Sequence, residues 1–354
     1  MTGSHAGLFG ELFVDREMAD AISDRALLHG MLGFEAMLAR ALEAESVAPQ
    51  GTADAIAGQC DPDFYDIAEL GRAATLAGNP AIPLVKALTA RVAAVAPEQA
   101  KWVHFGATSQ DVIDTALALK LKDIFYLFEA RLTGIAALLE GLIESFGSAE
   151  IPGRTRMQSA IPITAGDRIR VWLAGVNQAL ETLEGVRNQN LILSLAGAAG
   201  TAEKYGPKIG NVRATLAQSL GLTVPGYVPH AARGRIADLG GWLSRVTGAL
   251  GKIGQDVALM AQNELGEIGL SGGGGSSAMP HKQNPVRAEV LVSLARFNAT
   301  QVAALHQSLI HEQERSGAAW TLEWMLLPQM VIAAGASTRL AAELLGSVER
   351  LGEG

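Results

Sequence analysis

The longest regular pattern in the chain follows Thr108, where Ile113, Leu117, Leu121, Ile124, Phe128, Leu132, Ile135, Leu139, Leu142 and Phe146 recur at alternating steps of three and four. That spacing predicts one helix of about forty residues, about 55 Å long at about 1.5 Å per residue. Such a helix buries its apolar stripe only inside a bundle. Comparable patterns run from Gly166 to Leu193, Asp238 to Glu267, Pro285 to His311, and Ala319 towards Leu351, the last with Pro328 as an expected kink. Before Thr108 the pattern is shorter: helical segments over 16–46, 63–77 and 81–95 alternate with turn clusters such as Ala48-Pro49-Gln50-Gly51 and Gly78-Asn79-Pro80. Ile151 to Ile163 alternates apolar with polar and holds Pro152 and Pro162, which predicts a strand-like hairpin between helices. The expectation is an all-α protein, with a small N-terminal helical domain over 1–103 and a central domain of five long helices over 104–354. Leu and Ala on more than one helix face predict that the bundle packs against copies of itself.

Composition agrees with long helices. Of 354 residues 49% are hydrophobic but only 5% aromatic, so Leu, Ala, Val and Ile must fill the interior. The formal net charge of -8 excludes nucleic acid or an anionic membrane surface as the main partner, since both require a basic field. It leaves room for a local basic pocket that takes an anionic small molecule. Cys60 is the single cysteine, so no internal disulfide exists, and its Gly-Gln-Cys-Asp-Pro setting reads as an inert thiol. The N-terminus has no basic and then apolar leader, and no later stretch reaches about eighteen apolar residues, so a cytoplasmic protein without membrane segments is expected.

The richest chemistry lies in Gly272-Gly273-Gly274-Gly275-Ser276-Ser277-Ala278-Met279-Pro280-His281-Lys282-Gln283-Asn284-Pro285. Taken alone, a glycine run reads as a flexible linker. Here it lies between two long helices, with two hydroxyls at its tip and Lys282 and Asn284 just before a helix opened by Pro285. An ammonium beside a helix N-terminus is an anion site, and the glycines suit a lid that closes serine over a carboxylate. Two further segments carry polar groups. His104-Phe105-Gly106-Ala107-Thr108-Ser109-Gln110-Asp111 precedes the longest helix; Thr108 or Ser109 would cap it, which leaves His104 and the second hydroxyl unexplained. Gly153-Arg154-Thr155-Arg156-Met157-Gln158-Ser159-Ala160-Ile161-Pro162 spans the hairpin.

The glycine-rich segment matches Gly-Ser-Ser-x-Met-Pro-x-Lys-x-Asn at every fixed position and thereby resembles the signature of the fumarase/aspartase superfamily. The other two segments resemble that family's Thr-Ser-x-Asp and Arg-Thr-x-x-Gln-x-Ala-x-Pro regions, in the same order, so the resemblance spans almost the whole chain. It implies Ser276 as catalytic base, with Lys282 and Asn284 binding or polarising a substrate carboxylate. It further implies His104, Thr108, Ser109, Thr155, Gln158, Ser277 and Met279 around the substrate, and no metal or cofactor. Active sites of the superfamily are shared between subunits, so a homotetramer is implied as well.

Departures narrow the substrate. Arg156 stands where fumarases and adenylosuccinate lyases carry a histidine; an arginine is a poor acid but forks onto a carboxylate. Gly78-Asn79-Pro80-Ala81-Ile82-Pro83-Leu84-Val85 replaces the stretch that holds the lyases' second histidine. With His311-Glu312-Gln313-Glu314-Arg315 and Ala319-Trp320-Thr321-Leu322-Glu323-Trp324, these features are similar to the carboxymuconate cycloisomerases of the superfamily. That likeness makes Arg315 a candidate site residue and implies a small polycarboxylate substrate that closes to a lactone. Another superfamily lyase, or a cycloisomerase of sulfo- or otherwise substituted muconates, is the alternative. Relatives usually continue into a small helical C-terminal domain, whose absence here implies a more open pocket.

Overall fold

The computed structural model describes residues 7–275, 279 and 283–352. Two short helices, α1 (Gly10–Phe13) and α2 (Arg16–Ala21), lead into α3 (Asp24–Ala44). The helix expected over 16–46 is therefore two helices. Ser23 divides them by accepting from the Ala26 N–H at 3.2 Å, a cap that starts α3 afresh. Next come α4 (Thr52–Ala57), α5 (Ile67–Ala77) and α6 (Ala81–Val95). The helix expected over 63–77 begins only at Ile67, because the Asp66 carboxylate caps it through the Ala68 and Glu69 N–H groups at 2.8 and 3.2 Å.

The long pattern after Thr108 forms α7 (Ser109–Phe146), 38 residues or about 57 Å. It is followed by a hairpin of β1 (Glu150–Thr155) and β2 (Gln158–Thr164), then α8 (Ala165–Asn190), α9 (Ile209–Leu220) and α10 (Gly234–Met260). β3 (Ile268–Leu270) and two-residue strands β4 (Gly274–Gly275) and β5 (Gln283–Asn284) precede α11 (Val286–Gln307), α12 (Ala318–Gly346) and β6 (Val348–Leu351). α8 ends at Asn190 rather than Leu193 and α11 at Gln307 rather than His311, and two further ends fall short for visible reasons. α10 stops at Met260 because Gln262 to Gly266 closes a turn, with Gly266 at φ 55 and the Glu267 N–H on the Met260 carbonyl at 2.9 Å. The chain leaves α12 after Gly346 because Val348–Leu351 pairs antiparallel with β3. α12 itself continues through Pro328.

α7, α8, α10, α11 and α12 form the bundle, and their directions follow from side-chain partners. Asn190 at the end of α8 donates to the Arg235 carbonyl at the start of α10 at 3.3 Å. Gly254 late in α10 faces Ala288 early in α11, so close that a Cβ there would lie 2.5 Å from the Ala288 carbonyl oxygen. Trp320 early in α12 donates to Asp114 early in α7 at 3.1 Å. Hence α7, α10 and α12 run one way and α8 and α11 the other. The bundle core is aliphatic, with Phe125 and Phe128 edge-on to Trp242 at 6.4 and 5.3 Å. A second core joins α3, α4 and α6 (Leu32, Phe34, Leu38, Ile56, Leu88) to the first turns of α7 (Val112, Ala116) and to Leu193, Val212 and Leu216. No helix among the described residues is long and apolar enough to cross a membrane.

Candidate active site

The start of α7 is fixed by one buried carboxylate. Asp111 accepts from the Thr108 N–H at 3.0 Å, the Ala196 and Gly197 N–H groups at 2.9 Å, the Ser194 hydroxyl at 3.2 Å and His230 Nε2 at 2.8 Å. It thus clamps the 194–197 segment against the helix N-terminus, and Thr108 is the N-cap residue. The Thr108 hydroxyl accepts from Arg315 Nη1 at 2.5 Å, and Arg315 Nη2 reaches the Ala198 carbonyl at 3.3 Å. Thr108 and Ser109 are half-buried and Arg315 is exposed, so a guanidinium, two hydroxyls and the positive end of a long helix share one accessible spot.

His104 lies four residues before the cap with φ 57, a left-handed conformation that a non-glycine residue adopts only when held there. Glu35, buried on α3, holds it: one carboxylate oxygen accepts from the His104 N–H at 3.0 Å and the other meets His104 Nδ1 at 2.7 Å. Burial is the largest single influence on the ring and favours its neutral form. The charge and hydrogen bond of Glu35, aided by the charge of Asp111, outweigh burial and the opposing Lys204, and the His104 pKa is raised.

Beneath this surface is a buried ionic cluster. Arg233 pairs with Glu323 through Nε at 2.9 Å and through Nη2, and with Asp114 through Nη1 and through Nη2 at 3.2 Å. Burial would raise the Asp114 pKa, but Arg233 and Arg235 together hold it below the ordinary carboxylate value. Arg235, fully buried, is pushed down to about 10 by desolvation and by its neighbour Arg233. Trp320, which donates to Asp114, stacks edge-on against Trp324 at 4.5 Å. Glu323 and both tryptophans therefore anchor α12 to α7, and Arg315 is carried on the segment just before that anchor.

The remaining predicted residues lie at the far end of the bundle. The β1–β2 hairpin turns on Arg156 and Met157, with φ 49 and 67, a two-residue turn with both central residues left-handed and neither of them glycine. Thr155, Arg156 and Gln158 are exposed there, beside a cleft of about 980 Å³ whose walls include Arg154, Arg168, Lys252 and Glu267. Glu267 is buried and pairs with Arg154 and, at 3.3 Å, with Arg168. Asn284 is at the same end, paired with Gly274 at the base of the glycine-rich segment. A Cβ on Gly274 would lie 2.6 Å from Val286, so this part of the run is a packed ladder rather than a linker. Met279 is exposed, while Ser276, Ser277 and Lys282 lie outside the described residues.

One chain thus brings His104, Thr108, Ser109 and Arg315 together, and leaves Thr155, Arg156, Gln158 and Asn284 at the other end of the bundle. Sequence reasoning missed Glu35 and Asp111 as organisers of the site. Asp111 stood inside a recognised motif, but Glu35 is one acid in a helical pattern with no local signal. Among the described residues no group of three or more His, Cys, Asp or Glu side chains gathers as a metal site.

Comparison with known proteins identifies the family. The lyase family matches residues 14–302. The chain is 38% identical over 345 residues to a 3-carboxy-cis,cis-muconate cycloisomerase of Pseudomonas aeruginosa, covering 97% of this chain and 75% of that protein. It is 37% identical over 352 residues to a nitrosuccinate lyase of Streptomyces davaonensis, covering 96% and 74%. The crystal structure of the 3-carboxy-cis,cis-muconate lactonizing enzyme from Pseudomonas putida superposes with a TM-score of 0.92 at 37% identity, covering 97% of this chain and 77% of that one. With its motifs in order along one long bundle, the chain belongs to the lyase family of the fumarase/aspartase superfamily.

Proposed function

We propose that the protein is a 3-carboxy-cis,cis-muconate cycloisomerase, which closes a tricarboxylate diene to 4-carboxymuconolactone. The observation that carries the reading is Arg315 seated on the Thr108 hydroxyl at the N-terminus of α7, a built anion clamp where the superfamily holds a substrate carboxylate. Arg156 in place of the lyases' histidine adds a second cation and removes an acid, which suits a substrate with three negative groups better than an elimination that needs acid help. Curated relatives and two solved structures at 30 to 38% identity carry this activity.

In this reading the nucleophile belongs to the substrate. One of its carboxylate oxygens adds to the alkene carbon, and the electron pair passes to the carbon beside another carboxylate, which takes a proton. The protein folds the diene and neutralises its charges, a positioning effect worth several kcal/mol of barrier. Thr108, Ser109, Arg315, Lys282 and Asn284 stabilise the charge that builds on the carboxylate, each lost donor costing roughly 3 kcal/mol. Ser276 delivers the proton to carbon. Thr155, Arg156, Gln158, Ser277 and Met279 complete the pocket from neighbouring copies, because one chain holds its two groups of site residues at opposite ends. A homotetramer meets that need, and the exposed Tyr126, Val171 and Phe297 on three bundle helices are apolar positions for its contacts. We place the enzyme in the cytoplasm, and its reaction in the degradation of aromatic compounds.

Loss of 3-carboxymuconate absorbance in the ultraviolet, with the lactone identified as product, tests the proposal. Nitrosuccinate is the rival substrate, given its lyase among the relatives; turnover of nitrosuccinate alone would overturn the assignment. Ser276→Ala is expected to slow lactone formation at least about a hundredfold with the fold intact. Turnover at the wild-type rate would move the proton transfer to another group.

A further inference from the structure

One buried charge in the bundle belongs neither to the clamp at the N-terminus of α7 nor to the ionic cluster beneath it. Ile113, Leu117 and Lys120 follow one another at steps of four and three on α7, which aligns them on a single helix face. That face closes one side of a cavity of about 200 Å³. The other walls come from α12 through Trp324 and Leu327, from the first turn of α3 through Leu27, and from Pro80 ahead of α6. Lys120 retains only 9% exposure, and its ammonium has three N–H donors to place. The Ile22 carbonyl takes one at 3.4 Å, close to the outer limit of a hydrogen bond, and among the described residues Lys120 has no other hydrogen bond or ion pair. The carboxylates that face the cavity do not neutralise it. Asp114 on α7 and Glu323 on α12 are both committed to Arg233, and Asp114 has Arg235 at 3.7 Å besides. Asp24 on α3 is exposed, so solvent screens its charge. Lys120 therefore leaves one positive charge unmatched in a largely apolar space, where water supplies hydrogen bonds but no countercharge.

We propose that this cavity is a second ligand site, which takes a small monocarboxylate with an apolar body, its carboxylate on the Lys120 ammonium and its body against Ile113, Leu117, Trp324 and Leu327. One unmatched cation calls for one anionic group. A tricarboxylate such as the proposed substrate would leave two charges stranded in apolar surroundings, a cost that no contact in the cavity offsets. The half-buried Trp324 indole and the branched aliphatic walls favour a flat or branched hydrocarbon body over a polar one. Occupancy acts on Lys120 in turn. Burial pushes its pKa down to about 8, so the empty cavity loses its proton above about pH 8. A bound carboxylate favours the protonated form, and by linkage affinity falls as the pH rises through that value.

Benzoate is the probe, titrated into the full chain by isothermal calorimetry. At pH 7 one benzoate per chain is expected to bind, with Kd on the order of a millimolar or tighter. Benzyl alcohol, which keeps the ring and lacks the charge, should bind at least about tenfold more weakly. Lys120→Met should weaken benzoate by at least about tenfold, and so should Leu117→Trp, which keeps the ammonium and fills the cavity. In wild type the affinity should fall about tenfold between pH 7 and pH 9, as the ammonium of the empty site goes from about nine-tenths to about one-tenth protonated while benzoate stays ionised. Should Lys120→Met fail to fold, Leu117→Trp and the pH series carry the test. No saturable binding at millimolar benzoate overturns the proposal, as does equal binding of benzyl alcohol. Binding that survives Lys120→Met and is lost in Arg315→Ala overturns it too, because the carboxylate is then held at the α7 clamp. The heat of binding needs no turnover, so the result stands apart from whether the enzyme makes lactone.

Discussion

Arg315 and Thr108, 207 positions apart in sequence, meet through a 2.5 Å hydrogen bond at the N-terminus of α7. The contact is possible because Trp320 and Glu323, just after Arg315, are locked to Asp114 and Arg233 below the surface. The guanidinium is therefore presented by a rigid anchor although it is itself exposed, the arrangement a preorganised carboxylate site needs. Arg315→Ala is expected to lower kcat/KM for lactone formation by about a hundredfold or more, with unfolding unchanged. Arg315→Lys recovers only part, since a single ammonium cannot hold Thr108 and Ala198 in one plane. Steady-state kinetics on the two variants check this.

Arg156 is predicted to behave differently. It sits at the tip of an exposed turn and contributes one cation to binding, so Arg156→Ala should raise KM about tenfold, the equivalent of about 1.4 kcal/mol, and leave kcat largely intact. Alanine meets the same left-handed backbone demand as arginine, so the turn itself is not relieved by the change. Because Arg156 and Arg315 lie at opposite ends of one chain, mixed oligomers of Arg156→Ala and Arg315→Ala chains should contain some sites with both arginines intact. Denaturing and refolding the two variants together is expected to give more activity at low substrate than the sum of the two refolded apart. No gain on mixing would show that each site is built within one chain.

The bundle was legible in the sequence because its helices are long enough for the alternation of three and four to repeat many times, as from Ile113 to Phe146. Their ends were less legible. α10 was expected to reach Glu267 and stops at Met260, for a turn closed by Gly266 looks from local composition like more helix. α4 carries too few apolar positions to establish a period, α9 holds Ile209, Val212, Leu216 and Leu220 at helical steps but over only about three turns, and β6 becomes a strand because β3 lies beside it. The candidate residues Thr108, Ser109, Arg156 and Asn284 are reached by local reading because they stand in short contiguous motifs. Glu35 was not legible, because its role depends on a contact across 69 positions, and nothing local shows that Trp320 and Glu323 meet Asp114 and Arg233.

The buried cluster gives a stability prediction. Asp114, Arg233 and Glu323 are each at most 3% exposed, and each carboxylate is satisfied mainly by one shared guanidinium. Removing one carboxylate leaves half of the Arg233 guanidinium without its partner away from water, so Glu323→Ala or Asp114→Ala should cost about 3–5 kcal/mol. Urea unfolding followed by far-ultraviolet circular dichroism measures it. The double change of Arg233 and Glu323 to Met and Leu should cost less than the sum of the two single changes, since Glu323 is then not left beside a missing guanidinium and Asp114 keeps Arg235 at 3.7 Å.

Lys120 presents the opposite case, a buried cation without an adequate partner. Its ammonium makes a 3.4 Å hydrogen bond to the Ile22 carbonyl and lines a cavity of about 200 Å³ with Ile113, Leu117, Trp324 and Leu327. Burial pushes its pKa down to about 8, only partly offset by the charge of Asp24. The sign follows from proton binding. Between about pH 8 and pH 10.5 the unfolded chain holds this proton and the folded chain has lost it, so stability rises with pH across that window. Below about pH 8 both states are protonated and the folded state bears the whole desolvation cost. Lys120→Met keeps the length of the side chain, removes the charge and fills the same apolar walls. It is therefore expected to stabilise the protein at pH 7 by roughly 1–3 kcal/mol. That gain should shrink as the pH approaches the unfolded-state value of 10.5, where wild type no longer bears the cost. Urea midpoints of both proteins at neutral and alkaline pH decide the matter, and a Met variant less stable than wild type at pH 7 would mean that the ammonium is held by more than the Ile22 carbonyl.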